Sequence, residues 1–218
     1  MIKFLVIGGD AAGMSAASKV KRNRPQIDVT VLEQTMDVSY SACGMPYNIA
    51  DPSRAMDDLV VRSAEVFREK QGIDLRTGCR AESINRADRT VTYTDFAGVE
   101  KNLPYDKLLI ATGASPVIPD LPGVLLPGIF ALKSLEDGRR IKQYIRENTV
   151  KKAAIIGMGY IALEMCEAFR ANDIDVEMVK PRPSFIPWMN AELAEMVIEE
   201  VEKNNVMIHA GHEIKGIE

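Results

Sequence analysis

The sequence predicts an α/β fold built from two βαβ units, and three observations lead to that prediction. Short apolar runs alternate with segments of helical periodicity along most of the chain, which is typical of strands joined by crossover helices. Two of these runs, at 2–7 and 153–156, end in glycine-rich turns that lead into a predicted helix. The 218 residues are 46% apolar and 27% charged, a composition typical of a folded chain and not of a disordered one.

In the first half of the chain, the run IKFLVI at 2–7 indicates a buried parallel strand. A helix over 13–23 and a second strand at 28–33 complete the first βαβ unit. A long stretch at 34–62, punctuated by Pro and Asp, is predicted to be an irregular connection, which few chains keep without a functional reason. The pattern then predicts a helix at 63–71 and strands at 73–76, 80–84, 90–94 and 105–111.

In the second half, the pattern predicts a helix at 135–147, a strand at 153–156, a helix at 160–172 and strands at 175–179 and 206–209. Asn190 is the predicted N-cap of one more helix. The inward face of the helix at 135–147 is predicted to carry Leu135, Ile141, Tyr144 and Ile145. The inward face of the helix after Asn190 is predicted to carry Leu193, Met196, Val197 and Val201. We therefore expect three parts: a first domain at 1–112, a connector and helix at 113–149, and an incomplete second domain at 150–218.

The first turn, Gly8-Gly9-Asp10-Ala11-Ala12-Gly13, approximates the dinucleotide-binding pattern G-x-G-x-x-G. Gly8 suits the tight turn, and Gly13 suits close packing of the helix on the strand. Glu33, 20 residues after Gly13, can hold a ribose 2′-hydroxyl. Asp10 occupies the middle glycine's position, where a carboxylate is unfavourable beside a pyrophosphate unless it points away. A small-residue turn of any α/β protein is the alternative, but strand, turn, helix and acid together favour dinucleotide binding.

The second turn matches G-x-G-x-x-A without exception and is followed by Leu163 and Glu164. Its residues are Gly157, Met158, Gly159, Tyr160, Ile161 and Ala162. Lys180 and Arg182 follow the next predicted strand, where an adenosine 2′-phosphate prefers cations and a bare ribose prefers an acid; a solvated pair of charges is the alternative. Two Rossmann-like units in one chain predict electron transfer between two cofactors, usually a flavin and a nicotinamide.

Charge and cysteine content exclude several other classes of protein. The net charge is −4, from 27 basic and 31 acidic residues, so a nucleic-acid partner is not expected. No apolar run approaches the roughly 18 residues needed to cross a bilayer, and the first residues do not form a signal peptide. Three cysteines indicate a reducing compartment, and we expect a cytoplasmic protein. His209 and His212 lie far from the motifs, so no metal site is predicted.

The long connection contains Cys43 within the segment SYSACGMPY at 39–47. Pro46 suits the first turn of a helix, which would place Cys43 just before a helix N-terminus, where the dipole favours the thiolate. A thiolate is the form that attacks a disulfide. The alternative is a buried cysteine that packs as a small hydrophobe, but its position between two dinucleotide turns favours the reactive interpretation.

Four segments together resemble the pyridine nucleotide–disulfide oxidoreductase family over nearly the whole chain: VIGGDAAGMSAAS, the Ser39–Tyr47 segment, YDKLLIATGASP and IIGMGYIALEMCEAF. The resemblance is strongest to the single-cysteine branch that contains coenzyme A-disulfide reductases, NADH oxidases and NADH peroxidases. It implies FAD in the first unit, NADH or NADPH in the second, and contact of Thr112 and Gly113 with the flavin nucleotide. It also implies that Asp10 is accepted in the first turn.

The resemblance also bears on the reaction. The next cysteine, Cys79, lies 36 residues beyond Cys43, so the sulfur partner of Cys43 is expected to be external, or Cys43 cycles through sulfenic acid. The oxidase and peroxidase members carry a histidine where Ala11 stands, which favours reduction of coenzyme A disulfide, a persulfide or a polysulfide. Cys79 and Cys166 match no redox position and are expected to pack in the core.

Ser15, Lys19 and Arg22 fall on one face of the first predicted helix. In the coenzyme A-disulfide reductases this face, with Ser39, contacts the coenzyme A moiety; an ordinary basic helix surface is the alternative. Full-length members continue into a second flavin-binding segment and a dimerisation domain, so a homodimer is expected for the full-length form. An NADH oxidase or peroxidase and a non-catalytic nucleotide-binding fragment are the alternatives.

Overall fold

The computed structural model describes residues 1–182, 186 and 189–218. Its α-helices are α1 (Ala11–Asn23), α2 (Met45–Ala50), α3 (Ala64–Gln71), α4 (Leu135–Glu147), α5 (Tyr160–Arg170) and α6 (Ala191–Lys203). Its strands are β1 (Lys3–Ile7), β2 (Asp28–Leu32), β3 (Asp74–Arg76), β4 (Arg80–Asn85), β5 (Thr90–Thr94), β6 (Glu100–Pro104), β7 (Lys107–Ile110), β8 (Lys152–Ile156), β9 (Asp175–Lys180) and β10 (Val206–Ala210). These elements confirm the predicted α/β class.

The chain divides into two compact units. The first consists of Met1–Ser41 and Leu59–Ser115, and the second of Ala42–Asp58 and Pro116–Glu218. The connecting segment at 42–58, which contains Cys43, therefore belongs to the second unit. The three-part division at 112 and 149, with a connector and helix between two nucleotide-binding parts, stays a prediction.

The first unit has a parallel four-stranded sheet in the order β3-β2-β1-β7. Because successive side chains of a strand point to opposite faces, β1 contributes to two cores. Val6 packs with Met14 of α1 and Phe67 of α3, whereas Leu5 packs with Val91 of the antiparallel sheet β4-β5-β6. The parallel sheet is thus covered on both faces.

The second unit has a parallel three-stranded sheet in the order β10-β9-β8. Val176 and Met178 of β9 pack against Cys166 of α5 and against partly buried side chains of α6. Helix α4 begins with a capping box, in which the Ser134 side chain accepts a hydrogen bond from the Asp137 N–H and the Asp137 side chain accepts from the Ser134 N–H. No helix in the described part of the chain combines the length and apolarity needed to cross a bilayer.

Three details of the sequence prediction need correction. Strand β6 was not predicted, because its sequence EKNLP is polar and mostly exposed at a sheet edge. In α4, Tyr144 and Ile145 are half-buried, whereas Gly138 joins the buried residues.

The predicted inward face of α6 is rotated from the observed one. Leu193 and Met196 are 54% and 61% exposed, whereas Ala194 is buried and Val197 and Val201 pack on the core. Ala194, Val197 and Val201 follow the i, i+3, i+7 spacing of one helix face, and the two larger residues lie beside it.

Candidate functional site

The first glycine turn connects β1 to α1 in the first unit, and packing requires two of its glycines. Gly8 has a φ of 111°, and a Cβ there would lie 2.1 Å from the carbonyl oxygen of Ala111, just beyond β7. A Cβ on Gly13 would lie 1.8 Å from the carbonyl oxygen of Gly8. Any side chain at either position would collide with the backbone, so the turn brings the start of α1 close to the sheet, as dinucleotide-binding turns do.

Glu33 follows β2 and lies directly beside this turn. Its side chain is buried, its Oε2 accepts the Gly9 N–H at 2.7 Å, and its Oε1 accepts the N–H and hydroxyl of Thr35 at 2.7 and 2.8 Å. The carboxylate therefore fixes the position of the turn as well as standing where a ribose hydroxyl is expected. Sequence reasoning missed Thr35, because a side-chain bond to the backbone two residues on is a recognised signal for Asp and Asn and not for Glu.

Asp10 is the N-cap residue of α1, but its side chain makes no capping hydrogen bond. Its Oδ1 atom is buried and has no hydrogen-bond partner among the described residues. An unpaired buried acceptor is costly, and an N–H or hydroxyl group would satisfy it. Thr112 and Gly113, which follow β7 at the same carboxyl edge of the sheet, are exposed. A nucleotide with sugar hydroxyls therefore fits the residues present.

The second glycine turn connects β8 to α5 in the second unit and is more open than the first. A Cβ on Gly157 or Gly159 would meet no atom within 4 Å, although Gly157 has a φ of 127°. Gly159 is the N-cap residue of α5 and provides no side-chain cap. The first N–H groups of α5 are therefore not capped by that residue, and such groups at a helix N-terminus favour an anion.

The remaining residues of this turn differ in exposure. Met158 is buried in the core, whereas Tyr160 and Ile161 are 61% and 59% exposed. The other residues predicted to bind here are placed as follows: Ala162 and Glu164 half-buried on α5, Lys180 half-buried at the end of β9, and Arg182 exposed beyond it. Cations, and no acid, thus follow the second strand of this unit.

Cys43 lies in the connecting segment, whose two ends pair with each other. Ser41 N–H donates to the Leu59 carbonyl at 2.8 Å, and Val61 N–H donates to the Ser39 carbonyl at 2.9 Å. Between them, Cys43 stands in a 3-10 turn at Ala42–Gly44 that runs into α2. Helix α2 has a proline in its first turn, as predicted from Pro46.

The three cysteines differ in exposure. Cys43 is exposed, and Cys79 and Cys166 are buried, with all three thiols free. Burial raises the pKa of the Cys79 thiol, and it raises the pKa of Cys166 to about 11. The interpretation of Cys43 as a buried packing residue is therefore wrong, and the two other cysteines occupy core positions as expected.

The predicted substrate face on α1 is exposed to solvent. Ser15, Lys19 and Arg22 are all exposed, while Met14 and Ala17 face the core. Within the described ranges, neither cation forms an ion pair with a carboxylate. The same ranges contain no group of three or more His, Cys, Asp or Glu side chains suited to a metal ion.

Two parallel sheets, each with a glycine turn between its first strand and the following helix, define a class of α/β proteins that bind dinucleotides. The chain belongs to the pyridine nucleotide-disulphide oxidoreductase family, whose sequence profile matches residues 2–218. The resemblance found in the sequence is therefore confirmed at the level of the family.

Individual relatives carry related names. The chain is 40% identical over 209 residues to an NAD(P)H sulfur oxidoreductase (CoA-dependent) of Pyrococcus furiosus, covering 95% of the chain and 46% of the relative. It is 31% identical over 208 residues to an NADH oxidase of Methanocaldococcus jannaschii, with the same two coverages. The solved structure of an NAD-dependent persulfide reductase from A. fulgidus superposes with a TM-score of 0.94 at 31% identity, covering 100% of the chain and 41% of that structure. The chain spans about half the length of the curated relatives it matches.

Proposed function

We propose that the chain is the N-terminal part of an FAD-dependent NAD(P)H:disulfide oxidoreductase with Cys43 as its single redox cysteine. The substrate class is coenzyme A disulfide or a related persulfide or polysulfide. The observation that carries the proposal is that Cys43 is exposed while both other cysteines are buried, in a chain with two dinucleotide turns. Family membership supports the pairing of a pyridine nucleotide with a disulfide.

The first unit would hold FAD with the turn at Gly8–Gly13, with Glu33, and with Thr112 and Gly113. The second turn, at 157–162, would hold the nicotinamide nucleotide, and Lys180 and Arg182 support tolerance of NADPH beside NADH. When bound, FAD would supply a hydride acceptor for the nicotinamide and an electron donor for sulfur. The protein's own part in this is positional: Glu33 holds the Gly9 and Thr35 N–H groups and so fixes the first turn.

The chemistry assigned to Cys43 is thiol–disulfide exchange. Its thiolate attacks one sulfur of the substrate disulfide, a Cys43–S–S–R bond forms, and the first thiol leaves as RS⁻. Two electrons from NAD(P)H then reduce that mixed disulfide, releasing the second thiol and restoring the Cys43 thiolate. Over the cycle one disulfide, one NAD(P)H and one proton give two thiols and NAD(P)⁺. Cys79 and Cys166 lie in separate buried clusters, which supports an external sulfur partner.

The exposed row of Ser15, Lys19 and Arg22, together with Ser39, supports a substrate with phosphate groups such as coenzyme A, because Lys and Arg pair with phosphate oxygens. The name of the P. furiosus relative includes dependence on CoA. A homodimer for the full-length protein and a cytoplasmic location stay predictions.

An NADH oxidase or peroxidase is the second candidate, because the M. jannaschii relative is named NADH oxidase. Ala11 disfavours it, because alanine offers no acid–base group at the start of α1. Thiol production from coenzyme A disulfide, measured against oxygen and peroxide consumption, separates the two activities.

The decisive experiment is Cys43→Ser in the full-length enzyme. We expect loss of disulfide reduction, while reduction of the flavin by NAD(P)H continues. Cys166→Ser is the matched control and should keep both activities. Disulfide reduction that persists in Cys43→Ser would overturn the assignment of Cys43. Mass spectrometry of the wild type should show a small-thiol adduct at Cys43 and at neither other cysteine.

A further inference from the structure

Helix α2, which follows Cys43, is too short to keep a fixed orientation without tertiary contacts. Helix α2 has six residues, and an isolated helix shorter than about 12 residues is marginal in water. The orientation of its first turn, and so of Cys43, must come from tertiary contacts. Its buried residues Met45, Pro46, Asn48 and Ile49 supply part of these. Its last carbonyl groups, which have no partner within a helix, supply the rest.

Lys142 of α4 binds the C-terminal end of α2 and the loop that follows it. The Lys142 ammonium group lies 2.7, 2.7 and 2.6 Å from the carbonyl oxygens of Asn48, Asp51 and Arg54, and 2.9 Å from Asn48 Oδ1. Its three N–H groups donate to these four acceptors, so one N–H is shared between two of them. These acceptors span the last turn of α2 and the loop that returns from it. Burial lowers the pKa of Lys142, opposed by the charges of Asp51 and Asp58.

Two asparagines complete the arrangement. Asn48, only 1% exposed, also donates from Nδ2 to the Ala55 carbonyl at 2.8 Å, which ties the returning loop to the helix. Asn172, just after α5, donates to the carbonyl oxygens of Ile49 and Ala50 at 3.1 and 3.3 Å and to that of Ala168 at 2.8 Å. Side chains from α4 and from just beyond α5 thus hold the C-terminal end of α2.

We propose that Lys142 and Asn172 are positioning residues for Cys43, holding α2 from its C-terminal end so that the thiol at its other end keeps a fixed orientation. This inference rests on the proposed function only for its link to catalysis. Asn172 lies two residues after the end of α5, the helix that begins in the second glycine turn. Nucleotide binding and cysteine position therefore depend on the same helix.

The test compares Lys142→Met with Lys152→Met in the intact protein. Lys152 lies in the same unit and forms one ion pair, with Glu177 at 2.9 Å, but touches nothing in the connecting segment. In Lys142→Met we expect amide hydrogen exchange within 45–58 to rise about tenfold or more, since charged hydrogen bonds to three carbonyls are lost. Exchange in β8 and β9 should stay unchanged, and Lys152→Met should leave the segment protected.

Kinetics provide a readout that a purely structural role would not give. We expect Lys142→Met to lower kcat for disulfide reduction while KM for the nicotinamide nucleotide stays the same, and Lys142→Arg, which keeps the donors, to restore most of kcat. Unchanged exchange within 45–58 in folded Lys142→Met would overturn the proposal. So would faster exchange throughout the second unit, which would indicate general destabilisation.

If Lys142→Met does not fold, Asn172→Ala tests the same arrangement with a smaller change. It should raise exchange at 49–51 alone, and protection equal to the wild type there would also overturn the proposal. The exchange measurement does not depend on turnover. Reductase activity retained in Cys43→Ser would therefore remove the proposed function and leave this result standing, whereas normal exchange in Lys142→Met would remove only the positioning role.

Discussion

The two parallel sheets carry the same βαβ motif in different surroundings. In the first unit, helices cover one face of the sheet and an antiparallel sheet covers the other. In the second, α5 and α6 cover one face, and the opposite face of the described strands carries Lys152, Glu177 and His209, joined by bonds of 2.9 and 3.1 Å. The same motif is therefore covered on both faces in the first unit, and in the second unit it is covered on one face among the described residues.

The glycines of the two turns differ in the space around them. A Cβ on Gly8 would strike the backbone beyond β7, while a Cβ on the equivalent Gly157 would meet nothing within 4 Å. Gly13 has no room for a methyl group, whereas the equivalent position in the second turn is already an alanine, Ala162. The first turn is therefore constrained by the fold, whereas packing does not require the glycines at 157 and 159. We expect those two glycines to allow the backbone approach of a bound nucleotide.

The largest expected effect comes from Gly13→Ala compared with Gly159→Ala. A methyl group at Gly13 would lie 1.8 Å from a carbonyl oxygen, so we expect about 3 kcal/mol or more of destabilisation. Gly159 is an N-cap residue with open space around it, so Gly159→Ala should cost less than about 1 kcal/mol while weakening nucleotide binding. Urea unfolding measures both variants, and equal costs would remove the contrast between the turns.

A second comparison uses the reactivity of the three thiols to test whether the cores around Cys79 and Cys166 are closed to solvent. Cys43 is exposed and the other cysteines are buried, and a thiol whose pKa is raised, as in Cys79 and Cys166, stays protonated and unreactive at pH 8. We expect Cys43 to react with a disulfide reagent about a hundredfold faster than the other two thiols, because it is exposed and they are buried. Cys43→Ser should abolish the fast phase, and a fast phase that survives would show that one of the cores is open.

The next effect concerns the carboxylate beside the first turn. Glu33→Ala removes the acceptor of the Gly9 and Thr35 N–H groups, so we expect about 1–3 kcal/mol of destabilisation from unsatisfied buried donors. FAD binding should weaken as well, as titration followed by flavin fluorescence would show. Glu177→Ala, which removes a carboxylate from the second sheet, is the control and should leave FAD binding unchanged. Normal FAD affinity in Glu33→Ala would remove Glu33 from the proposed site.

The sequence predicted the parts of this molecule that local pattern controls. The alternation of apolar runs and helical segments located nearly every element, and the glycine spacing located both turns. Polar β6 carries no such pattern, because antiparallel pairing at a sheet edge defines it. The contacts of Lys142 with Asn48 join residues 94 positions apart, so no local sequence pattern predicts them.

Asp10 illustrates a different limit. The motif shows where its carboxylate stands in the chain, but only the folded turn shows that Oδ1 is buried without a partner. The exposure of Cys43 is similar, because a lone cysteine in an irregular connection can equally well be buried. Burial and hydrogen bonding are properties of the packed chain, and spacing alone does not determine them.

The smallest expected effect concerns coenzyme choice in the second unit. Lys180 ends β9 and Arg182 follows it, at the strand end where NADH-specific relatives are expected to present an acid. A well-placed charged hydrogen bond contributes roughly 1.5–3 kcal/mol, but exposed pairs are worth only about 0–1 kcal/mol. We therefore expect the full-length enzyme to accept NADPH, and Lys180→Glu to shift the ratio of kcat/KM values towards NADH by about tenfold or less.

The control for this prediction is Lys152→Glu, which makes the same charge change at the opposite end of the sheet and should leave the ratio unchanged. Strong rejection of NADPH by the wild type would mean that Lys180 and Arg182 point away from the adenosine pocket, and that the second unit keeps an open turn without a phosphate-binding cation.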